Sequence, residues 1–170
     1  MIVTNKATIG LTNPKSPSNV GAVMRASGCY QVESVYYTGS RYGFASKFHT
    51  DTKNVSLNIP LSPAKSLLDV VPEGASIVCV DLVEGAIPLP EFQHPENAFY
   101  IFGPEDGTIE QSVVDNAADV VYIPTIGCMN LAATVNVVLY DRLAKAKISI
   151  DSDDLIRNSR DTNNKVKVRS

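Results

Sequence analysis

The residues best suited to do chemistry gather around a proline–glycine interruption late in the chain, Ile123-Pro124-Thr125-Ile126-Gly127-Cys128-Met129-Asn130-Leu131. The β-branched run before it, Val120-Val121-Tyr122-Ile123, reads as a buried strand. A residue before proline is pushed out of the helical region, so Ile123 should be extended. Gly127 permits a backbone turn that a side chain would forbid. Asn130 stands where a helix would begin, and its short amide can cap the free N–H groups there. A strand, a polar loop and a helix N-terminus make a place where α/β proteins bind ligands; an ordinary strand–loop–helix connection would use the same residues.

Three further groups carry polar chemistry. Asn19 and Arg25 fall early in the chain, about 9 Å apart along a helix axis; on spacing alone Arg25 reads as a solvated surface charge. Gly103-Pro104-Glu105-Asp106-Gly107-Thr108 is a glycine-bounded acidic turn that follows an apolar run. Residues 39–54 interleave Arg41, Lys47 and Lys53 with Tyr42 and His49. That mixture suits contact with nucleic acid and suits an exposed loop equally well. With no second ligand nearby, His49 is read as neither catalytic nor metal-binding.

At 170 residues the chain can bury one real core. Cys29, Cys79 and Cys128 are an odd, unclustered set, which fits a reducing compartment and packing as small apolar residues. The first residues lack a signal-peptide pattern and no apolar run reaches a membrane-spanning length, so the cytoplasm is the expected location. A net charge of −3 counts mildly against nucleic acid, whose phosphates are bound through Lys and Arg.

The elements that must position these residues alternate. Strands are expected over 7–11, 33–38, 75–82, 98–102 and 120–123. Helices are expected from Pro17 with Ser16 as cap, over 62–71 behind a second Ser-Pro start, over 109–117, and from Asn130 onward. Val20, Val23, Met24 and Ser27 give the first helix one core-facing stripe. The near-continuous apolar strands predict a mostly parallel sheet with helices on both faces. Residues 1–150 read as one domain and residues 151–170 as a polar, basic-ended tail, mobile or only partly ordered.

Three pieces in this order resemble the SpoU/TrmH family of the SPOUT superfamily: Asn19 and Arg25 with Gly21-Ala22 between them, Phe102-Gly103-Pro104-Glu105-Asp106-Gly107, and Ile123-Pro124 followed by Met129-Asn130-Leu131 and an apolar helix. The resemblance covers roughly residues 7–146. It implies methyl transfer from S-adenosylmethionine to a ribose 2′-hydroxyl of RNA, tRNA favoured and rRNA possible, without a metal. It also implies a deep C-terminal trefoil knot that forms the cofactor pocket, and a homodimer with its sites at the interface. Two subunits could gather Arg25, Arg41 and Lys47 into one RNA-binding patch despite the acidic average.

By motif position Arg25, Asn19, Asn130 and Glu105 are the catalytic set. Gly103, Ile123, Cys128 and Leu131 would surround the cofactor, with Leu82 at the adenine. Two positions depart from the pattern: Cys128 stands where serine is usual, and Thr108 where glycine is common. Those departures and the acidic balance would also suit a catalytically silent RNA-binding protein of the same fold. An α/β domain for another nucleotide is the third reading, and it lacks a phosphate-cradling glycine motif.

Overall fold

The structure, a computed structural model, describes residues 5–46, 59–148 and 152–169. Seven strands lie in one sheet: β1 (Lys6–Leu11), β2 (Ser34–Tyr37), β3 (Leu61–Pro63), β4 (Ser76–Val80), β5 (Ile87–Pro88), β6 (Asn97–Phe102) and β7 (Asp119–Tyr122). Their spatial order is β3-β2-β1-β6-β4-β7-β5, and every pairing is parallel. The helices are α1 (Pro17–Cys29), α2 (Arg41–Ser46), α3 (Gln111–Asp115), α4 (Leu131–Lys145) and α5 (Asp153–Ser159).

Strand side chains alternate between faces, and β6 shows the result. Ala98, Tyr100 and Phe102 enter the larger core beneath α1 and α4, with Ile9, Leu11, Val23 and Val135. Phe99 and Ile101 enter a smaller core with Leu67, Cys79 and Ile109. Both faces are covered, which is why β1 and β6 can be apolar almost throughout. Burial also pushes the Cys79 thiol up to about 11, with the Asp81 carboxylate adding to the effect.

α1 starts as its Ser-Pro signature predicts: Ser16 caps it by accepting from the Asn19 amide at 3.4 Å. The same signature at Ser62-Pro63 does not start a helix. Residues 61–63 instead form edge strand β3, with Tyr36 opposite Ser62 and Tyr37 opposite Pro63. An edge strand tolerates a proline that cannot donate to the ladder, and Ser62 before it is held extended. Only Leu67–Val70 turn, as a short 3-10 helix capped by Ser66. The helix expected over 109–117 shortens to α3. The tail carries α5, capped by Ser152 through the Asp154 and Leu155 amides.

α4 is clasped to the loop before β6 by a buried polar chain. Arg142 Nη1 donates to Tyr100 Oη at 2.9 Å. With a neutral imidazole, the Tyr100 hydroxyl donates to His94 Nδ1 at 2.6 Å, and His94 Nε2 donates to Asp141 at 2.8 Å. Lys145 meets the same carboxylate and the Leu89 and Phe92 carbonyls.

Candidate active site

The carboxyl ends of β1, β6, β4 and β7 lie level: Leu11 pairs with Phe102, Phe102 with Val80, and Val80 with Val121. The strand order departs from chain order here, where β6 enters between β1 and β4, and ligands of open parallel sheets bind at such points. A cavity opens over these ends. Residues 80–82, 102–105 and 123–131 contribute most of its wall, together with Gly107 and Thr134.

All five residues expected around a cofactor, Leu82, Gly103, Ile123, Cys128 and Leu131, line this one cavity. Gly103 is fixed by space: a Cβ there would lie 2.3 Å from Asp81 Oδ2. Gly127 has φ +82°, a conformation that favours glycine. Thr125 closes that turn by donating from its hydroxyl to the Gly127 carbonyl at 3.1 Å.

A hydrogen-bonded line runs beside the cavity. Asn130 caps α4, its side-chain oxygen accepting from the Ala132 and Ala133 amides at 2.9 and 3.3 Å. Its Nδ2 donates to Asn19 Oδ1 at 2.9 Å. Asn19 in turn donates to Glu105 at 3.3 Å. The Glu105 carboxylate also accepts from the Lys15 amide at 3.1 Å and the Ser16 amide at 3.5 Å, where α1 begins and negative charge is favoured. Three motif residues scattered through the chain thus form one connected set.

Arg25 stands apart from that set. It is exposed on α1 and makes no hydrogen bond or ion pair with the described residues. Arg41 is engaged: it holds Asp106 in a bidentate pair at 2.7 and 3.0 Å and donates to the Asn13 carbonyl from Nε and Nη2 at 3.2 and 2.5 Å. That hydrogen bond holds the Asp106 carboxyl below its usual range and raises the guanidinium. Lys47 lies outside the described residues, as do His49 and Lys53.

The sequence profile of the SpoU rRNA Methylase family matches residues 6–140. The chain belongs to that family. Members of that family use S-adenosylmethionine. No curated protein matches the chain. Among solved structures, one described as "Structural insights into the 2-OH methylation of C/U34 on tRNA" is 22% identical with a TM-score of 0.69, over 82% of this chain and 90% of that one. An AdoMet-bound rRNA methyltransferase from Sinorhizobium meliloti is 14% identical with a TM-score of 0.65, over 82% of this chain. The chain spans 56% of that enzyme's length. The SpoU methyltransferase AviRb from Streptomyces viridochromogenes, in complex with the cofactor AdoMet, is 17% identical with a TM-score of 0.63, over 82% of this chain and 60% of that one. At these identities the likeness is one of fold.

In this SpoU family member the two departures sit differently. Cys128 lines the cavity, whereas Thr108 is exposed and does not. Sequence reasoning passed over Asp81. Its Oδ2 accepts from the Ile109 amide at 3.0 Å and its Oδ1 from the Leu82 amide at 2.8 Å, tying the 80–82 wall of the cavity to the chain just after the 103–107 loop. The available signal was a lone carboxylate ending the apolar run Ile77-Val78-Cys79-Val80. Among the described residues no three His, Cys, Asp or Glu side chains gather as a metal site, and no helix is long and apolar enough to cross a membrane.

Proposed function

We propose that the chain is an RNA ribose 2′-O-methyltransferase that uses S-adenosylmethionine, with tRNA as the favoured substrate. One observation carries this reading: five cofactor positions converge on a single cavity beside the Asn130–Asn19–Glu105 line. The donor set suits the cofactor. Val80, Ile123, Met129 and Leu131 offer apolar surface for a flat base, and the 123–129 turn offers backbone groups. When bound, the cofactor supplies an electrophilic methyl on a sulfonium.

The protein's own task is then to place a ribose hydroxyl in line with that methyl. Such positioning contributes up to about 7–11 kcal/mol in favourable cases. Arg25, unengaged by the described residues, is the cation for this role. A guanidinium stays protonated near neutral pH, so Arg25 holds an RNA phosphate and orients the hydroxyl, while water or that phosphate takes the proton. Asn19 and Asn130 fix where α1 stands against α4, and so where Arg25 reaches.

The remaining features of this reading are structural. The segment from β7 through α4 passes through a loop as a deep trefoil knot; its support is the family and the packing of α4, late in the chain, against α1 near its start. Two copies pair through the outer faces of α1 and α4, where Ala22, Ala133, Val137 and Tyr140 are exposed beside Arg25. Residues 1–150 act as the cytoplasmic catalytic unit, with 151–170 a separate basic-ended tail. The tRNA preference rests on the 90% coverage of the structure concerned with C/U34 of tRNA, which leaves little room there for an added domain.

The test is methyl incorporation into tRNA and rRNA lacking the modification. Arg25→Ala should abolish transfer while S-adenosylhomocysteine binds with unchanged affinity. A wild-type protein with no affinity for S-adenosylmethionine or its product would favour the silent RNA-binding reading, which Cys128 in the cavity wall supports.

A further inference from the structure

Glu105 and Asp106 are consecutive carboxylates on the 103–107 loop, and they face opposite ways. Glu105 lines the cavity and reaches the start of α1 through bonds of 3.1–3.5 Å. Asp106 does not line it and grips Arg41 at the shorter distances of 2.7 and 3.0 Å. A bidentate, charge-assisted pair is the stronger and more directional of the two attachments.

Arg41 passes the constraint on. Its second edge is fixed on the carbonyl of Asn13, in the turn between β1 and α1. That turn is itself a tight corner. Asn13 sits at φ +41°, its amide donates to Thr38 Oγ1 at 3.1 Å, and its side-chain oxygen is buried against Gly39. Both edges of the guanidinium are therefore occupied, leaving little of its fixed fork for a phosphate.

We propose that Arg41 and Asp106 form a strut that sets the 103–107 wall of the methyl-donor cavity. Arg41 is then a positioning residue for the cofactor and not a ligand of RNA. This rests on reading the cavity as the S-adenosylmethionine site. Gly103, Pro104, Glu105 and Gly107 all line that wall, so loosening residue 106 between them widens the distribution of wall positions that the cofactor must select from.

The two assignments of Arg41 move different constants in Asp106→Asn. As a strut, Asp106→Asn weakens S-adenosylhomocysteine binding by about two- to fivefold, the range of an exposed ion pair. It raises KM for S-adenosylmethionine in the same proportion, leaves kcat at saturating cofactor near wild type, and leaves affinity for unfractionated tRNA unchanged. Arg41→Lys keeps the charge but loses the fork, and should match it. As an RNA ligand, Arg41 would be released by Asp106→Asn, so tRNA would bind more tightly with the cofactor constant unmoved; that result overturns the strut. Calorimetry with S-adenosylhomocysteine and tRNA binding at two salt concentrations read both arms, with thermal unfolding to show that the variants fold. Wild-type binding of S-adenosylhomocysteine with unchanged variants overturns the strut alone. A wild-type chain that binds none overturns the cavity reading and the strut with it.

Discussion

Gly103→Ala is the sharpest probe of how the cavity is built. The new methyl would lie 2.3 Å from Asp81 Oδ2 and 3.0 Å from Asp81 Cγ, so the carboxylate must move. It cannot move freely, because Oδ2 holds the Ile109 amide at 3.0 Å and Oδ1 the Leu82 amide at 2.8 Å. Ile109 is buried as a residue, so its released amide regains little from water. Losing a hydrogen bond to a charged group in that setting costs about 1.5–3 kcal/mol. If that cost falls on the cofactor-bound form, affinity drops by roughly ten- to 150-fold. The backbone at Gly103 is not left-handed, so the collision is the whole effect. Removing the obstacle should therefore rescue it: in an Asp81→Ala background, Gly103→Ala should add under about 0.5 kcal/mol. The cycle is read by urea unfolding and by S-adenosylhomocysteine titration of the four proteins. Costs that simply add within about 0.5 kcal/mol would refute the claim that Asp81 and Gly103 are one joint.

Three further outcomes can be checked. Burial lowers the His94 imidazole pKa, the Asp141 bond opposes this, and Arg142 and Lys145 add to the lowering. The unfolded chain therefore takes up the proton first; the contribution is full above about pH 6.5 and is lost as pH falls toward the folded value, at up to about 1.4 kcal/mol per pH unit. Urea midpoints between pH 5 and 7.5 should show that slope, and His94→Gln should flatten it. Asn130→Ala removes an α4 cap worth about 1 kcal/mol and the bond to Asn19 together, so it should lower both the unfolding midpoint and methyl transfer, whereas Thr108→Gly should leave transfer unchanged. Lys165, Lys167 and Arg169 have no partner among the described residues, so deleting residues 160–170 should lower the salt slope of tRNA binding by about 0.7–0.9 for each phosphate that the tail neutralises; an unchanged slope would show that the tail does not touch RNA.

Local chemistry made much of the scaffold readable. Ser16-Pro17 marked α1 because the capping hydroxyl finds its amide within its own turn, and the apolar runs at 75–82 and 98–102 marked strands that the structure places at Ser76–Val80 and Asn97–Phe102. Ser62-Pro63 carries an identical dipeptide and failed, since its conformation is set by Tyr36 and Tyr37 across the sheet. The sheet order was illegible for a related reason: β1 pairs with β6 across more than 80 residues of chain, and no spacing encodes that choice. Asn130 was legible as a helix cap, but its grouping with Asn19 and Glu105 came through a family motif and not through physics, because the Asn130–Asn19 bond joins residues 111 apart. Arg41 and Asp106 form another long-range pair, 65 residues apart, that no motif contained.

The position of β6 also shapes what happens on the ribosome. β4 pairs only with β6 and β7, both of which are synthesised after it. At about 5–20 residues per second, Val78, Cys79 and Val80 wait a second or more for Asn97–Phe102 to slot between them and β1. Through that interval a nascent chain presents an unmatched apolar ribbon with both rims open, the form of polypeptide most prone to cross-associate. Pausing of translation between codons 80 and 97 would prolong the hazard, and chaperone occupancy of ribosome-bound chains should peak there.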